Sequence, residues 1–182
     1  MASIPTPHTY TVGEIVTAST MNGVRDALRF LIGGAATYKP SMRAYMLTTG
    51  QSIPNNTATA IKFNTKLEAT DTAYSTSTGI YTVVTAGLYI VTYAAAFASL
   101  SAGVADYWIT ATSAGATGRS TPITAASDSF ARAQGSSIIR AAVNDTISVQ
   151  VIQTSGGSST TNVGLGSAGS PGVYFALDWI SA

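Results

Sequence analysis

The sequence predicts a mainly β fold class, an antiparallel β-sandwich preceded by a short N-terminal arm and one helix. Three observations predict it. After residue 40, apolar residues alternate with a period of two instead of three or four. Turn-forming stretches such as Pro54-Asn55-Asn56 and Asn144-Asp145 separate the alternating segments. No helical pattern lies between them, and short strands at regular spacing are typical of sandwiches and barrels.

The N-terminal residues 1–40 differ from the rest in composition and periodicity, which predicts a separate attachment or trimerisation segment. Residues 1–16 hold two prolines and a glycine between polar stretches, so they predict an extended arm. After Thr17 the spacing of apolar residues predicts one face of a helix that ends at Gly33-Gly34. That face consists of Met21, Val24, Leu28 and Leu31.

Such a helix spans about 22 Å and is marginal in water by itself. We therefore expect its apolar face to attach to a particle or to a partner helix, with packing on its own sandwich as the alternative.

The remaining residues 41–182 predict about eight strands, each with one apolar and one polar face. The predicted strands are residues 43–48, 58–63, 79–84, 88–97, 107–111, 136–140, 146–153 and 173–180.

The composition excludes several classes of protein. Charged residues make up only 9% of the chain and hydrophobic residues 46%, with a net charge of +1, so the chain should fold and not remain disordered. No basic cluster is present, which argues against nucleic-acid binding. Cysteine is absent, and no signal peptide or membrane span is visible, so we expect synthesis in a cytoplasm. A weakly charged surface is poorly protected against association and indicates an oligomer.

Residues 77–93 resemble the signature of the globular head of the complement first-component q-subunit family, whose jelly-roll fold is shared with tumour necrosis factor. A Thr-Gly-x-aromatic strand, a short turn and a Gly-x-Tyr-x-Phe-x-aromatic strand recur in that family. The matching positions here are Gly79, Tyr81, Gly87, Tyr89, Val91 and Tyr93, with Val91 in place of the usual Phe. Residues 51–63 and 143–149 are similar to two further regions of the family.

This resemblance implies a jelly-roll sandwich that forms a homotrimer. In physical terms the signature glycines suit turns, and the signature aromatic residues belong to the core. We also expect replacement of Tyr89 by alanine to cost more stability than replacement of Tyr74, because Tyr74 precedes a Ser/Thr-rich turn.

Residues 10–31 resemble the opening of many tailed-bacteriophage virion proteins. In those proteins Gly-Glu-x-Val-Thr-Ala, then Asn, then Val-Arg-Asp precede a fibre or head domain, and the same motif begins here at Gly13. The resemblance implies a virion-surface location after assembly in the host cytoplasm. It also implies contacts with other virion proteins through the N-terminal segment, in a minor tail protein, capsid decoration or head fibre.

Catalytic chemistry has little support in the sequence. The one histidine, His8, lies in the arm, no serine occupies a nucleophile elbow, and the Gly-x-Gly-x-x-Gly spacing of residues 164–169 lacks a strand-helix context. Glu68 and Asp71 form the single close carboxylate pair of the sandwich, for which we expect a solvated surface and not a glycosidase couple or cation site. We therefore expect no catalytic residue, metal or cofactor.

Asp106 and Trp108 form a candidate ligand surface, because an acid beside an exposed aromatic residue can hold a sugar. A core position for Trp108 is the simpler expectation. The sequence thus leaves two compatible functions open. One is a homotrimeric structural virion protein. The other is a receptor- or carbohydrate-binding adhesion module at the particle surface, which would use loops such as residues 99–105, 115–121 and 155–162. Hydrolase activity, which would need the Glu68 and Asp71 pair, is a third hypothesis.

Overall fold

The computed structural model describes Asn22 and residues 39–47, 50–69, 72–97, 100, 102–120, 122–124, 131–161 and 172–182. Within these residues the chain forms fourteen strands. They are β1 (Ser41–Tyr45), β2 (Ser52–Ile53), β3 (Thr59–Ala60), β4 (Thr65–Ala69), β5 (Tyr74–Ser75), β6 (Ile80–Thr82), β7 (Gly87–Phe97), β8 (Val104–Ala111), β9 (Gly115–Thr117), β10 (Ile123–Thr124), β11 (Ala131–Ala141), β12 (Thr146–Gln153), β13 (Ser159–Thr160) and β14 (Tyr174–Ser181).

Two antiparallel sheets pack face to face. The five-stranded sheet has the order β11-β7-β14-β1-β4, and the seven-stranded sheet has the order β10-β8-β12-β6-β5, with β3 pairing with β12 and β9 with β8. Strands β13 and β2 form a small separate pair. Most neighbours in the sheets are distant in sequence, as crossing connections in a jelly roll require. The predicted mainly β antiparallel sandwich is confirmed, while the predicted N-terminal helix, apart from the single residue Asn22, lies outside the described residues.

The sequence predicts the strands that have a clear alternating pattern and does not reveal the others. Strand β12 has the predicted bounds because Ile147, Val149 and Val151 are fully buried and alternate with polar positions. Strands β2, β4, β5, β9, β10 and β13 were not predicted. Most of these strands have too few residues to show an alternating pattern. Strand β4 has the charged sequence Thr-Lys-Leu-Glu-Ala, which is typical of a strand at the edge of a sheet.

Aromatic side chains join the two sheets across the core. Tyr81 of the seven-stranded sheet and Tyr89 of the five-stranded sheet have ring centroids 6.2 Å apart. Phe97 and Tyr107 make a second such contact at 5.9 Å. Aromatic pairs at this separation contribute about 0.5–1.5 kcal/mol each beyond the burial of their area.

Tyr74 is a core residue and does not lie at the margin of the fold. It is 4% exposed, against 0% for Tyr89, and its ring packs edge-on against Phe175 at 5.9 Å. Its hydroxyl accepts a hydrogen bond from the Phe63 amide and donates one to the Phe63 carbonyl, both at 3.1 Å. Tyr74 is therefore not set apart from the core by preceding a turn, a position that the sequence could not reveal because the two-residue strand β5 is too short to show a pattern. The larger stability loss expected for Tyr89→Ala than for Tyr74→Ala stays a prediction.

Candidate functional site

Trp108 lies on the outer face of the seven-stranded sheet, so the expectation of a core position is wrong. Its neighbours in β8, Tyr107 and Ile109, are fully buried, and the period of two turns Trp108 outward, where it is half-buried. The second tryptophan, Trp179, is 7% exposed and donates its indole N–H to the Ala86 carbonyl at 3.1 Å. The two tryptophans thus occupy opposite environments.

Arg119 lies against both candidate ligand residues. The centre of its guanidinium group is 5.6 Å from the centroid of the Trp108 ring, which is within the range of a cation–π interaction. Its Nε donates to Asp106 Oδ2 at 2.8 Å, and its Nη2 donates to the same oxygen. These hydrogen bonds to the Asp106 carboxylate raise the pKa of the Arg119 guanidinium. Arg119, Asp106 and Trp108 are called the outer-face cluster below.

The segment that carries Arg119 is held in place by backbone contacts. The Ser120 amide donates to the Tyr107 carbonyl at 2.9 Å, and the Tyr93 hydroxyl donates to the Gly118 carbonyl at 3.3 Å. Gly135 of β11 allows the Gly118 backbone to lie close to that strand. A Cβ at residue 135 would lie 2.5 Å from the Gly118 carbonyl oxygen. Arg119 lies within the candidate recognition loop 115–121, but no local pattern in the sequence links it to Asp106 on β8.

Three polar side-chain atoms in or beside these segments are buried without a hydrogen-bond partner within the part of the chain that the structure describes: Asp106 Oδ1, the Tyr107 hydroxyl and Ser120 Oγ. Asp106 is 9% exposed, although it lies on the outer face. Burial raises the pKa of the Tyr107 hydroxyl strongly, and Tyr93 adds to this. Burial also raises the pKa of Tyr93, with Ser120 partly offsetting the effect.

A second candidate surface is the outer face of the five-stranded sheet. Ile90, Ile138 and Ile180 are 39%, 64% and 46% exposed there. Ile138 is the direct partner of Ile90 across β11 and β7. On the other side of Ile90 lies Asp178, whose partner on β1 is Ser41. This apolar surface is called the isoleucine face below.

The family-signature residues are buried residues of the strands and glycines with a positive φ. The four strand residues of the signature are at most 1% exposed; they are Tyr81, Tyr89, Val91 and Tyr93. Gly79 has a φ of +75°, and a Cβ there would lie 2.3 Å from the Ile61 carbonyl oxygen. Gly87 has a φ of +149°, which also favours glycine.

Several candidate residues lie outside the described residues, namely the helix positions Met21, Val24, Leu28 and Leu31, together with His8 and Asp71. Glu68 lies in β4, opposite Arg43 of β1. Within the described ranges no cluster of three or more His, Asp or Glu residues could hold a metal ion. No helix among the described residues is long and apolar enough to cross a membrane.

Comparison with known proteins identifies the fold and the family. Residues 44–170 match the sequence profile of the C1q domain. No curated protein matches the chain in sequence.

Solved structures with the same fold cover most of the chain. The globular domain of zebrafish complement 1qA protein aligns over 78% of this chain and 98% of its own, with a TM-score of 0.53 and 16% identity. An Eiger TNF from S. frugiperda aligns over 79% and 94%, with a TM-score of 0.61 and 11% identity. Murine APRIL aligns over 78% and 99%, with a TM-score of 0.57 and 11% identity. At these identities the likeness establishes the fold alone.

Proposed function

This chain belongs to the C1q domain family, and from that premise we propose that it is a homotrimeric structural protein on the surface of a tailed-bacteriophage particle. Domains of this family are binding and structural modules and typically form trimers. In the proposal, residues 41–182 project outward as the trimeric head, and residues 1–40 attach the head to other virion proteins. The attachment point is a minor tail protein position, a capsid decoration site or a head fibre.

The isoleucine face is the observation that carries the trimer. Three large apolar side chains are exposed together on one sheet face, whereas single exposed apolar residues scattered over a surface need no explanation. Covering the exposed parts of three isoleucines contributes roughly 2–4 kcal/mol per copy. A threefold ring closes when this face meets a different surface of the next copy, so every copy buries one such face.

The position of Ser41 supports a joint attachment stem. The chain enters the sandwich at Ser41, which shares a row of register partners with Asp178, Ile90 and Ile138. Neighbouring strands are about 4.8 Å apart, so Ser41 lies about 14 Å from Ile138 across the sheet. If the isoleucine face is the contact between copies, three N-terminal segments leave the trimer near the same contact and can form one stem.

The phage particle as the place of attachment is supported by residues 10–31, which carry the Gly-Glu-x-Val-Thr-Ala, Asn and Val-Arg-Asp pattern of virion proteins. The low charge of the chain, 9%, also agrees with a surface that is largely covered by neighbouring copies.

Immunogold labelling of intact particles tests this function. An antibody raised against residues 41–182 should label purified particles at regular positions on the head or the tail. Particles from a phage with the corresponding gene deleted are the control and should remain unlabelled. A protein found in the infected-cell lysate but not on purified particles would contradict a structural virion role.

A further inference from the structure

The outer-face cluster has the geometry of a binding subsite on the open side of the seven-stranded sheet. Asp106 and Trp108 are two positions apart on β8, so their side chains share one face. Gln150 on β12 is the direct register partner of Trp108. The amide nitrogen of Gln150 donates to Ser148 Oγ at 3.2 Å, so the amide is held in place beside the ring.

Arg119 covers this platform as an exchangeable cap. Its side chain is 64% exposed, so it can swing into solvent without opening the core. Both of its contacts with Asp106 go to the single oxygen Oδ2. Arg119 is the exposed partner of this ion pair, so water can hydrate its guanidinium group when it leaves Asp106.

The second carboxylate oxygen of Asp106, Oδ1, indicates which class of ligand the subsite would bind. It is buried and makes no hydrogen bond within the described residues, although buried polar atoms almost always have a partner. A carboxylate accepts hydrogen bonds at both oxygens. Two neighbouring hydroxyl groups on one molecule can therefore satisfy Oδ1 and Oδ2 together, whereas Arg119 satisfies only Oδ2.

We propose that Trp108, Asp106 and Gln150 form a subsite for a neutral, hydroxyl-rich sugar residue of a glycan, and that Arg119 is the cap that the sugar displaces. The Trp108 ring supports the apolar face of a pyranose, and the Asp106 carboxylate accepts hydrogen bonds from two adjacent hydroxyls. Acidic sugars are disfavoured, because displacement of Arg119 leaves the negative charge of Asp106 facing the ligand. This inference goes beyond the structural role and does not depend on it.

The two tryptophans supply an internal control for the test. Full-length protein labelled with ¹⁵N gives one indole N–H resonance for Trp108 and one for Trp179, because the chain has two tryptophans. The protein is titrated separately with glucose, galactose, mannose, N-acetylglucosamine and glucuronic acid. At least one neutral sugar should shift the Trp108 resonance in a saturable manner, and the Trp179 resonance should not move.

Three variants separate the roles of the cluster residues. Trp108→Ala and Asp106→Asn should each weaken binding of the responding sugar at least tenfold. Arg119→Ala should strengthen it severalfold, because the cap no longer competes for Asp106. Lys66→Ala, which removes an exposed lysine from β4 of the five-stranded sheet, is the matched control and should leave the affinity unchanged. Melting temperatures near that of the wild type show that each variant is folded.

Three outcomes would overturn the proposal. One is the absence of any shift at Trp108 with all four neutral sugars. Another is a response to glucuronic acid alone that Arg119→Ala abolishes, which would make the cluster an anion site. The third is an equal loss of binding in Lys66→Ala and Trp108→Ala, which would place the sugar elsewhere.

Discussion

Ile138 of β11 and Ile90 of β7 are direct register partners, and both side chains point away from the core of the sandwich. On an antiparallel pair, directly opposed side chains are close enough to act as one apolar surface. The outer side of the five-stranded sheet therefore carries an apolar patch, which no other described element covers, at its β11 edge.

Replacing Ile138 by aspartate should dissociate the trimer, since burying an unpaired charge in the contact between copies is strongly unfavourable. Ile138 is 64% exposed, so the sandwich of each copy should remain folded, with an unchanged circular dichroism spectrum. Light scattering should give a trimer mass for the wild type and a monomer mass for Ile138→Asp. Ala116→Asp, at an exposed position of β9 on the other sheet, is the control and should stay trimeric. A trimeric Ile138→Asp variant would show that this face is not the contact.

Removing the hydroxyl of Tyr74 should cost about 1–3 kcal/mol, because Tyr74→Phe leaves the buried amide and carbonyl of Phe63 unpaired. Tyr107→Phe is the matched comparison, since the Tyr107 hydroxyl is also buried but makes no hydrogen bond within the described residues. That variant should be as stable as the wild type at neutral pH, or slightly more stable. Urea unfolding curves measure both changes, and equal losses in the two variants would refute the assigned hydrogen bonds.

Stability should fall as the pH rises above about 10, the ordinary pKa of a tyrosine hydroxyl. Burial raises the pKa of Tyr74 and of Tyr107 in the folded protein. Above pH ~10 the unfolded chain therefore loses protons that the folded protein keeps, which favours unfolding by about 1.4 kcal/mol per pH unit for each such tyrosine. Below pH ~10 both states keep the protons, and this contribution to stability is fully present.

Unfolding curves at about pH 9 and about pH 11 measure this dependence. Tyr107→Phe removes one of the two strongly shifted groups and should reduce the fall in stability between the two pH values. An unchanged fall in Tyr107→Phe would mean that the Tyr107 hydroxyl is accessible to hydroxide in the folded state.

Attachment and folding should be separable near residue 40. The Pro40 carbonyl accepts a hydrogen bond from the Trp179 amide at 2.8 Å, so a truncated chain should begin at Lys39 and not at Ser41. Residues 39–182 should remain folded and trimeric but fail to join particles in a complementation assay.

The double substitution Leu28→Asp with Leu31→Asp in the full chain should reproduce that failure and leave the melting transition of the sandwich nearly unchanged. Its control is the same pair replaced by methionine, which preserves an apolar helix face and should still attach. Unfolding of residues 39–182 would show that the N-terminal segment belongs to the core. Particle decoration by residues 39–182 would place the attachment surface on the sandwich.

Alternation along single strands was enough to predict the sandwich and most of its long strands. It identifies which residues share a face, and in β12 this assigned Ile147, Val149 and Val151 to the core. The same information cannot show whether the opposite face meets water, a ligand or another copy. Ile90 belongs to an equally regular strand, yet it lies on the outer face and remains exposed.

The outer-face cluster and the position of Tyr74 were decided only by the tertiary structure. Arg119 reaches Asp106 because the chain turns back after β8 and Gly135 admits the Gly118 segment, and no local pattern encodes that approach. Tyr74 is buried because β5 pairs with β6 under Phe175. The sequence by itself determined the period of two, the turns and hence the β-sandwich, because these depend on neighbours along the chain. Pairing between distant strands decided which side chains meet, because register and sheet packing depend on the whole fold.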